Sequence, residues 1–130
     1  MPSLHRDIPI NATPDSVWSV VRDFGAAQKL APGFVVESRF DGEARIVTFA
    51  NGNVAREMLV DCDEARRRLV YAISNERVTH YNASVEVVAD GASSRLRWTV
   101  DVLPHEIGPY ISIQMDQAAR AMQQALGGCK

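Results

Sequence analysis

The stretch from Phe34 to Leu103 constrains the fold most, because apolar residues recur there at every second position in several short runs. Alternation with a period of two is typical of β-strands that bury one face. Residue pairs that favour tight hairpin turns separate several of these runs, at Asp41-Gly42, Asn51-Gly52 and Asp90-Gly91. Two further turns, near residues 63–66 and 74–77, divide the remainder, so the pattern predicts six consecutive antiparallel strands.

The segment before this stretch predicts one strand and two short helices. Residues 3–10 form a short segment in which apolar and polar residues partly alternate, as in a strand. Thr13 and Pro14 suit the N-cap and the first helical position, and the apolar residues that follow predict a helix over residues 15–24. A second short helix is expected over residues 26–30, before Pro32-Gly33.

The segment after the strands predicts one long helix. From Pro109 to Leu126 the apolar residues form a stripe at helical spacing, which ends at Gly127-Gly128. Helices set apart from an antiparallel meander make an α+β domain. A bent sheet that grips a terminal helix commonly leaves a cavity, although the alanines of this helix, taken alone, favour simple close packing.

The composition argues against a nucleic-acid partner and against a membrane span. The chain has 130 residues, which suits one domain over residues 1–130. It carries 14 basic and 16 acidic residues, so it lacks the positive surplus with which proteins neutralise nucleic-acid phosphates. No apolar run has the length of a signal peptide or a membrane span, and we expect a cytoplasmic monomer or homodimer.

Motifs for metals, nucleotide cofactors and nucleophilic catalysis are missing from the sequence. Cys62 and Cys129 are far apart and match neither a CxxC pair nor a zinc spacing, so we expect reduced thiols, with Cys129 exposed. No GxGxxG, P-loop, GxSxG or HExxH motif occurs, and the three histidines are scattered. The expectation is therefore a cavity that holds no metal and no cofactor.

Several short motifs follow one another along nearly the whole chain in the order typical of one family. They are Pro14-Asp15-Ser16-Val17-Trp18 with Asp23-Phe24, Gly42-Glu43-Ala44-Arg45, Asn51-Gly52 followed by Glu57, Asp63, Arg68-Leu69-Val70-Tyr71, Tyr81-Asn82-Ala83-Ser84-Val85, and Ser94 to Trp98. In this order they resemble the polyketide cyclase/dehydrase family of the START and Bet v 1-like (SRPBCC) superfamily. The resemblance implies a helix-grip fold, with a seven-stranded antiparallel curved sheet around a long C-terminal helix and two short helices.

Strand parity predicts which side chains face the interior, because alternate residues of a strand point to opposite faces. In residues 78–88 and 95–102 the apolar positions share one face, and that face is expected to point inward. Together with the terminal helix, the inward positions are expected to line a ligand cavity. The predicted ligand-binding residues are Val36, Phe40, Glu57, Tyr71, Tyr81, Ala83, Trp98, Val100, Met115 and Ala119.

Glu57 is the exception to this parity argument. Alternation alone favours the opposite face of its strand, with Met58 and Val60 inward. Its spacing to Asp63 and Tyr71 is similar to that in the plant abscisic acid receptors, and that resemblance implies that Glu57 faces the cavity. An apolar pocket disfavours a charged carboxylate unless cations or donors compensate it. Glu57 is then a general acid/base or a ligand anchor, and a surface strand glutamate is the alternative.

The superfamily includes carriers, receptors and cyclases, so the fold does not name a reaction. We expect a protein that binds a small hydrophobic ligand, which is lipid-, polyketide- or aromatic-like, in an internal pocket. The alternative is a cofactor-independent enzyme of polyketide cyclase or dehydrase type, with Glu57 or Tyr81 as the catalytic group. A hormone receptor is disfavoured, because the loop at residues 50–53 is short and Val36 stands where the plant receptors have an inward lysine. His105, in the loop before the last helix, is a candidate gate or proton donor.

Overall fold

Seven antiparallel strands form a single curved sheet in the computed structural model, which describes residues 3–127. The strands are β1 (Ser3–Ile10), β2 (Val35–Phe40), β3 (Ala44–Phe49), β4 (Val54–Asp63), β5 (Arg68–Ile73), β6 (His80–Asp90) and β7 (Ser93–Leu103). Their order in the sheet is β1-β7-β6-β5-β4-β3-β2. Six strands therefore pair with their neighbours in the chain, and β1 returns to pair with β7.

Helices cover one face of this sheet. Two short ones, α1 (Pro14–Val21) and α2 (Ala27–Leu30), connect β1 to β2. A 3₁₀ turn (His105–Ile107) leads into the long helix α3 (Gly108–Leu126). The α+β helix-grip prediction is confirmed, with seven strands, two short helices and one long helix in the expected order.

The start of α1 follows the sequence signals closely. The Thr13 hydroxyl accepts a hydrogen bond from the Ser16 backbone N–H at 3.2 Å, and Pro14 occupies the first turn. The helix ends at Val21, earlier than predicted, and Phe24 is buried in the turn that follows it. The apolar pattern in the sequence extends past the end of the helix to Phe24, because this turn residue also belongs to the core.

Two irregularities bend the sheet. The pairing of β2 with β3 shifts after Val35, and the pairing of β4 with β5 shifts after Leu59. In each case one extra residue, Val36 or Val60, lies outside the regular pairing and is 57% exposed. Such β-bulges increase the bend and twist of a strand, so they help the sheet to curve toward α3.

The long helix packs against one edge of the sheet and against α2 rather than on the middle strands. α3 packs mainly against β1 and α2. On β1, the Arg6 guanidinium donates hydrogen bonds to Asp116 at 2.7 Å and to the Ser112 hydroxyl at 2.7 Å, which fixes the helix to that edge. The space between α3 and the middle strands is consequently not filled by direct helix-sheet contact.

Some predictions concern features outside the sheet and the cavity. No helix within residues 3–127 is both long enough and apolar enough to cross a membrane. Cys62 is a free, partly buried thiol, and burial raises its pKa. Cys129, expected to be an exposed thiol, lies outside the described residues.

Candidate functional site

A cavity of about 370 Å³ lies between the concave face of the sheet and α3. This volume is in the range of small-molecule pockets. Most of the wall is apolar, with contributions from strands β2, β3, β5 and β7, from the β5–β6 turn and from the helices. The main apolar lining residues are Ala27, Leu30, Val35, Val47, Phe49, Ile73, Val78, Trp98, Ile111, Met115, Ala118 and Met122.

Exposed lining residues mark the mouth of the cavity. They come from the β3–β4 turn (Asn51, Asn53), the β5–β6 turn (residues 75–77) and the start of α3 (Tyr110). The Asn53 side-chain amide donates a hydrogen bond to the Tyr110 hydroxyl at 3.2 Å. The mouth is therefore bordered by two hairpin turns and the helix start, with one polar contact that joins turn and helix.

Away from the mouth, the cavity wall holds a buried ion pair. Arg45 on β3 lies directly opposite Glu57 on β4, and opposite residues of antiparallel strands share a face. Arg45 Nε donates to Glu57 Oε1 at 2.6 Å, and the two side chains are only 9% and 8% exposed. Burial in apolar surroundings would be costly for either charge alone, and here the two opposite charges compensate each other.

Aromatic rings enclose the cationic partner of this pair. The Arg45 guanidinium carbon lies 4.2 Å from the ring centroid of Phe24 and 4.9 Å from that of Tyr71. Its Nη1 also donates to the Phe24 carbonyl oxygen at 3.2 Å. Cation–π contacts of this kind are favourable when the cation is desolvated. The guanidinium is thus held by a carboxylate, a carbonyl and two rings.

Two tyrosines lie in the wall near the ion pair. Burial raises the pKa of Tyr71, and the negative charge of Glu57 raises it further. Burial is also the main reason that the pKa of Tyr81 lies well above its usual value, with Tyr71 and Glu57 acting in the same direction. Both side chains therefore remain neutral phenols at physiological pH, and each can donate a hydrogen bond.

The Trp98 ring lines the cavity, but its indole N–H is enclosed by the protein. Trp98 is 7% exposed and lines the cavity. Its Nε1 atom is enclosed, and no other residue within the described range 3–127 forms a hydrogen bond with it. The Tyr71 hydroxyl is a near neighbour, but the two groups do not meet hydrogen-bond geometry.

The family of this chain follows from a match over almost its entire length. The family described as polyketide cyclase / dehydrase and lipid transport matches residues 1–129. The chain belongs to this family. The predicted resemblance is thereby confirmed, while no curated protein matches the chain.

Solved structures of similar fold include uncharacterised proteins and an enzyme. An uncharacterised protein from Bacillus thuringiensis is 18% identical, with a TM-score of 0.85 and coverage of 96% of this chain and 98% of that one. Norcoclaurine synthase from Thalictrum flavum, in complex with a transition-state analogue, is 20% identical, with a TM-score of 0.72 and coverage of 96% and 93%. A START superfamily protein from Mycobacterium smegmatis is 15% identical, with a TM-score of 0.67 and coverage of 95% and 93%. At these identities the likeness concerns the fold of this polyketide cyclase/dehydrase family member.

Half of the residues predicted to bind ligand lie in the cavity wall of this family member. They are Glu57, Tyr71, Tyr81, Trp98 and Met115. Glu57 and Tyr81, the two predicted catalytic residues, are both among them. Their position makes contact with a bound molecule possible, and their binding and catalytic roles stay predictions.

Val36 does not line the cavity, which corrects its predicted position. The bulge that follows Val35 inserts one extra residue, so the alternation of β2 is interrupted there. Val35 is consequently 6% exposed and lines the cavity, whereas Val36 is 57% exposed. A bulge exchanges the inward and outward positions on one side of it, and the apolar pattern of the sequence does not reveal this.

Phe40 also lies outside the cavity wall, although its parity was correct. It pairs with Arg45 and therefore shares the concave face. At the end of an edge strand, however, it packs edge-on against Phe24 with ring centroids 6.0 Å apart, and it is 49% exposed. The ring of Phe24, rather than that of Phe40, lies beside the Arg45 guanidinium.

Ala83, Val100 and Ala119 are the remaining corrections. Ala83 and Val100 pair with each other and face inward, but both are fully covered by the core and do not reach the cavity. On α3 the lining residue is Ala118 rather than Ala119, because one residue turns the helix by about 100°. Ala119 instead packs, partly buried, against the core.

The 3₁₀ turn contributes Ile107, and not His105, to the mouth of the cavity. His105 is exposed and is not part of the cavity wall. Ile107 and Tyr110, which follow it, line the mouth. In residues 3–127 no three His, Cys, Asp or Glu side chains come together as a metal site.

Arg45 is the important residue that the sequence analysis missed. A signal for it exists in the hairpin, because Arg45 alternates with apolar Val47 and Phe49 on the inward face. A two-residue turn at Asn51-Gly52 would place Arg45 opposite Met58. The observed turn has three residues between the paired positions 49 and 53, which places Arg45 opposite Glu57.

Proposed function

We propose that this family member binds a small hydrophobic ligand, lipid-, polyketide- or aromatic-like, inside the cavity. The observation that carries the proposal is a cavity of about 370 Å³ whose wall is mainly apolar and contains one internally neutralised ion pair. A domain without a ligand would be expected to fill such space with side chains, since protein interiors are close-packed. Family membership supports the same proposal.

The apolar wall supplies most of the affinity in this proposal. An aromatic group comparable to a large aromatic side chain buries about 200 Å². At about 25 cal/mol per Å² this burial contributes roughly 5 kcal/mol before the entropic cost of association. The polar groups of Glu57 and Tyr81 then orient the ligand rather than hold it by charge, because Arg45 already neutralises Glu57.

A filled-cavity variant tests the binding proposal. Ala118 is 1% exposed and lines the cavity, so Ala118→Leu adds apolar volume at the wall. Ala125→Leu is the matched control, because Ala125 is exposed on the same helix and does not line the cavity. We expect one equivalent of an apolar fluorescent probe to bind the wild type and Ala125→Leu, and Ala118→Leu to bind at least tenfold more weakly.

Fluorescence titration and native mass spectrometry measure these outcomes, and circular dichroism checks that each variant is folded. Equal binding by Ala118→Leu and the wild type would place the probe outside the cavity. Absence of binding by the wild type would contradict the proposal.

A second candidate function is a cofactor-independent enzyme of cyclase or dehydrase type. The observation that favours it is a carboxylate, Glu57, buried in the wall beside two neutral phenols. A carboxylate in such a position is able to take a proton next to a carbonyl group, while a phenol stabilises the oxygen. Because its pKa is raised, Tyr81 is suited to donate a hydrogen bond and not to act as a base at neutral pH.

Glu57→Gln distinguishes the two functions. Exchange of the α-protons of 4-phenyl-2-butanone for deuterium, followed by NMR, reports proton abstraction next to a carbonyl. If the protein is an enzyme that accepts this ketone, the exchange rate should fall about 100-fold in Glu57→Gln, with less change in affinity. If the protein only carries its ligand, wild-type exchange should equal the rate in buffer, and only affinity for polar-headed probes should change.

A further inference from the structure

We propose that β2 forms the contact of a weak homodimer, in which the free edge of this strand pairs antiparallel with the same edge of a second copy. β2 is the last strand of the sheet, so only one of its two edges is occupied, by β3. A two-fold dimer brings the same surface of both copies together, so that surface must be complementary to itself. Residues 37–40 do not line the cavity, and the inference is independent of the proposed function.

The backbone of β2 offers unpaired groups at this edge. The hairpin with β3 closes where the Asp41 N–H donates to the Ala44 carbonyl oxygen at 2.9 Å. Because bonded and non-bonded pairs alternate along antiparallel strands, Arg39 is the next residue that bonds to β3. The N–H and C=O groups of Ser38 and Phe40 therefore point to the free edge. No loop or helix backbone within residues 3–127 pairs with them.

Two opposite charges lie on the same segment. Glu37 and Arg39 are both exposed, and neither forms an ion pair with another residue in the described part of the chain. They point to the convex face of the sheet, since their partners on β3 alternate with the cavity-lining Val47 and Phe49. Charges on an edge strand discourage pairing with an arbitrary strand, but they favour a strand of matching charge.

The backbone pattern and the charges select one register. When Ser38 lies opposite Ser38 of the second copy, Glu37 of each copy faces Arg39 of the other, and opposite charges across strands are favourable. When Ser38 lies opposite Phe40 of the second copy, the two Arg39 side chains face each other and Glu37 faces Asp41. When Phe40 lies opposite Phe40, most of β2 stays unpaired, because the strand ends at Phe40. The edge is therefore complementary to itself in the first register.

Exposed apolar side chains flank the two charges. Val36 is 57% exposed and Phe40 is 49% exposed. The selected register brings Val36 of one copy to the level of Phe40 of the other, so both become partly covered. One short strand edge is nevertheless a small contact beside the roughly 1,200 Å² that stable complexes bury. The dimer is consequently weak and forms only at high protein concentration.

Sedimentation equilibrium of the wild type tests whether the dimer forms. The mean mass should rise with concentration from the 14.3 kDa of the monomer toward twice that value. Added salt should weaken the association, because exposed charge pairs are screened. A mass that stays at the monomer value up to millimolar concentration overturns the inference.

Charge reversal tests the register. Glu37→Arg and Arg39→Glu each set like charges opposite each other in both symmetric contacts, and each should weaken self-association by at least about tenfold. A mixture of these two variants should form a dimer, because every contact then joins opposite charges. The double variant Glu37→Arg/Arg39→Glu should self-associate like the wild type for the same reason.

Glu106→Arg is the matched control, because it makes the same charge change at an exposed position outside the sheet and should dimerise like the wild type. Circular dichroism checks that each variant is folded. Dimerisation that Glu37→Arg and Arg39→Glu leave unchanged would place the contact elsewhere and overturn the inference.

Amide hydrogen exchange of the wild type covers the case in which a variant does not fold. In the selected register the Ser38 N–H donates to the second copy, so its exchange should slow as protein concentration rises. Exchange of Ser38 that is independent of concentration while the mass increases would contradict pairing at this edge.

Discussion

At the scale of single residues, the Arg45–Glu57 pair is the most consequential contact in the molecule. Both side chains are more than nine-tenths buried and lie 2.6 Å apart. A buried ion pair contributes little more to stability than apolar residues of the same shape, but removal of one partner leaves an uncompensated charge. The pair is therefore expected to be sensitive to single substitution and tolerant of joint replacement.

We expect Arg45→Met to lower the free energy of unfolding by about 3–5 kcal/mol, because Glu57 then remains buried without its cation. The double variant Arg45→Met/Glu57→Leu should recover most of this loss, since it removes both charges. Urea unfolding of the wild type, both single variants and the double variant measures the coupling. Additive losses in the double variant would show that the two charges do not compensate each other.

The buried tyrosines predict a dependence of stability on alkaline pH. A tyrosine of the unfolded chain ionises near pH 10, whereas the raised pKa of Tyr71 and of Tyr81 keeps both protonated at higher pH in the folded state. Above pH 10 the folded state therefore binds more protons than the unfolded state, and the free energy of unfolding falls as pH rises. Each of the two contributes up to about 1.4 kcal/mol per pH unit in this window.

Urea unfolding at pH 9, 10 and 11 tests this prediction. The variant Tyr71→Phe/Tyr81→Phe is the control, because it lacks both hydroxyls and should lose less stability over the same interval. Identical slopes for the wild type and this variant would contradict a raised pKa at both positions.

At the scale of the elements, the β2 bulge decides which of two adjacent valines belongs to the core. Val35 is 6% exposed and Val36 is 57% exposed. Val35→Ser should lower the free energy of unfolding by about 2 kcal/mol, because it removes buried apolar atoms and buries a hydroxyl. Val36→Ser should change it by no more than about 0.5 kcal/mol. Urea unfolding of this matched pair checks the bulge, and the opposite ranking would mean that β2 alternates regularly.

At the scale of the whole molecule, the cavity couples ligand binding to the stability of the fold. Unfolding abolishes the cavity, so a ligand that binds only the folded state stabilises the protein by mass action. At a concentration 100 times its dissociation constant, an apolar probe that binds in the cavity should raise the free energy of unfolding by about 2.7 kcal/mol. Thermal unfolding with increasing probe measures this effect, and Ala118→Leu at the same probe concentrations should gain much less.

Much of the architecture was accessible from the sequence, because it depends on local signals. The N-cap at Thr13 and turn pairs such as Asp90-Gly91 act over a few residues, so the helix start and the turn occur in the structure where the sequence predicts them. The inward parity of Tyr81 and Trp98 followed from alternation along uninterrupted strands. Glu57 is different, since its inward position came from resemblance and ran against alternation.

Tertiary structure alone decided the details of the cavity. The bulge after Val35 and the length of the turn at Asn51 are set by how neighbouring strands fit together, and each changes which residues meet. The turn length is what brings Arg45 onto Glu57 and converts a lone buried carboxylate into a neutral pair.

The sequence by itself determined the order of strands and helices, the family and most of the inward faces, because alternation, caps and turn residues encode these locally. It did not determine which inward residues reach the cavity. That depends on how the helices pack on the sheet: Ala83 and Val100 are completely buried away from the cavity, whereas Trp98 lines it. Helix placement depends on many packing contacts between residues that are distant in the sequence, so only the folded molecule shows which inward residues reach the cavity.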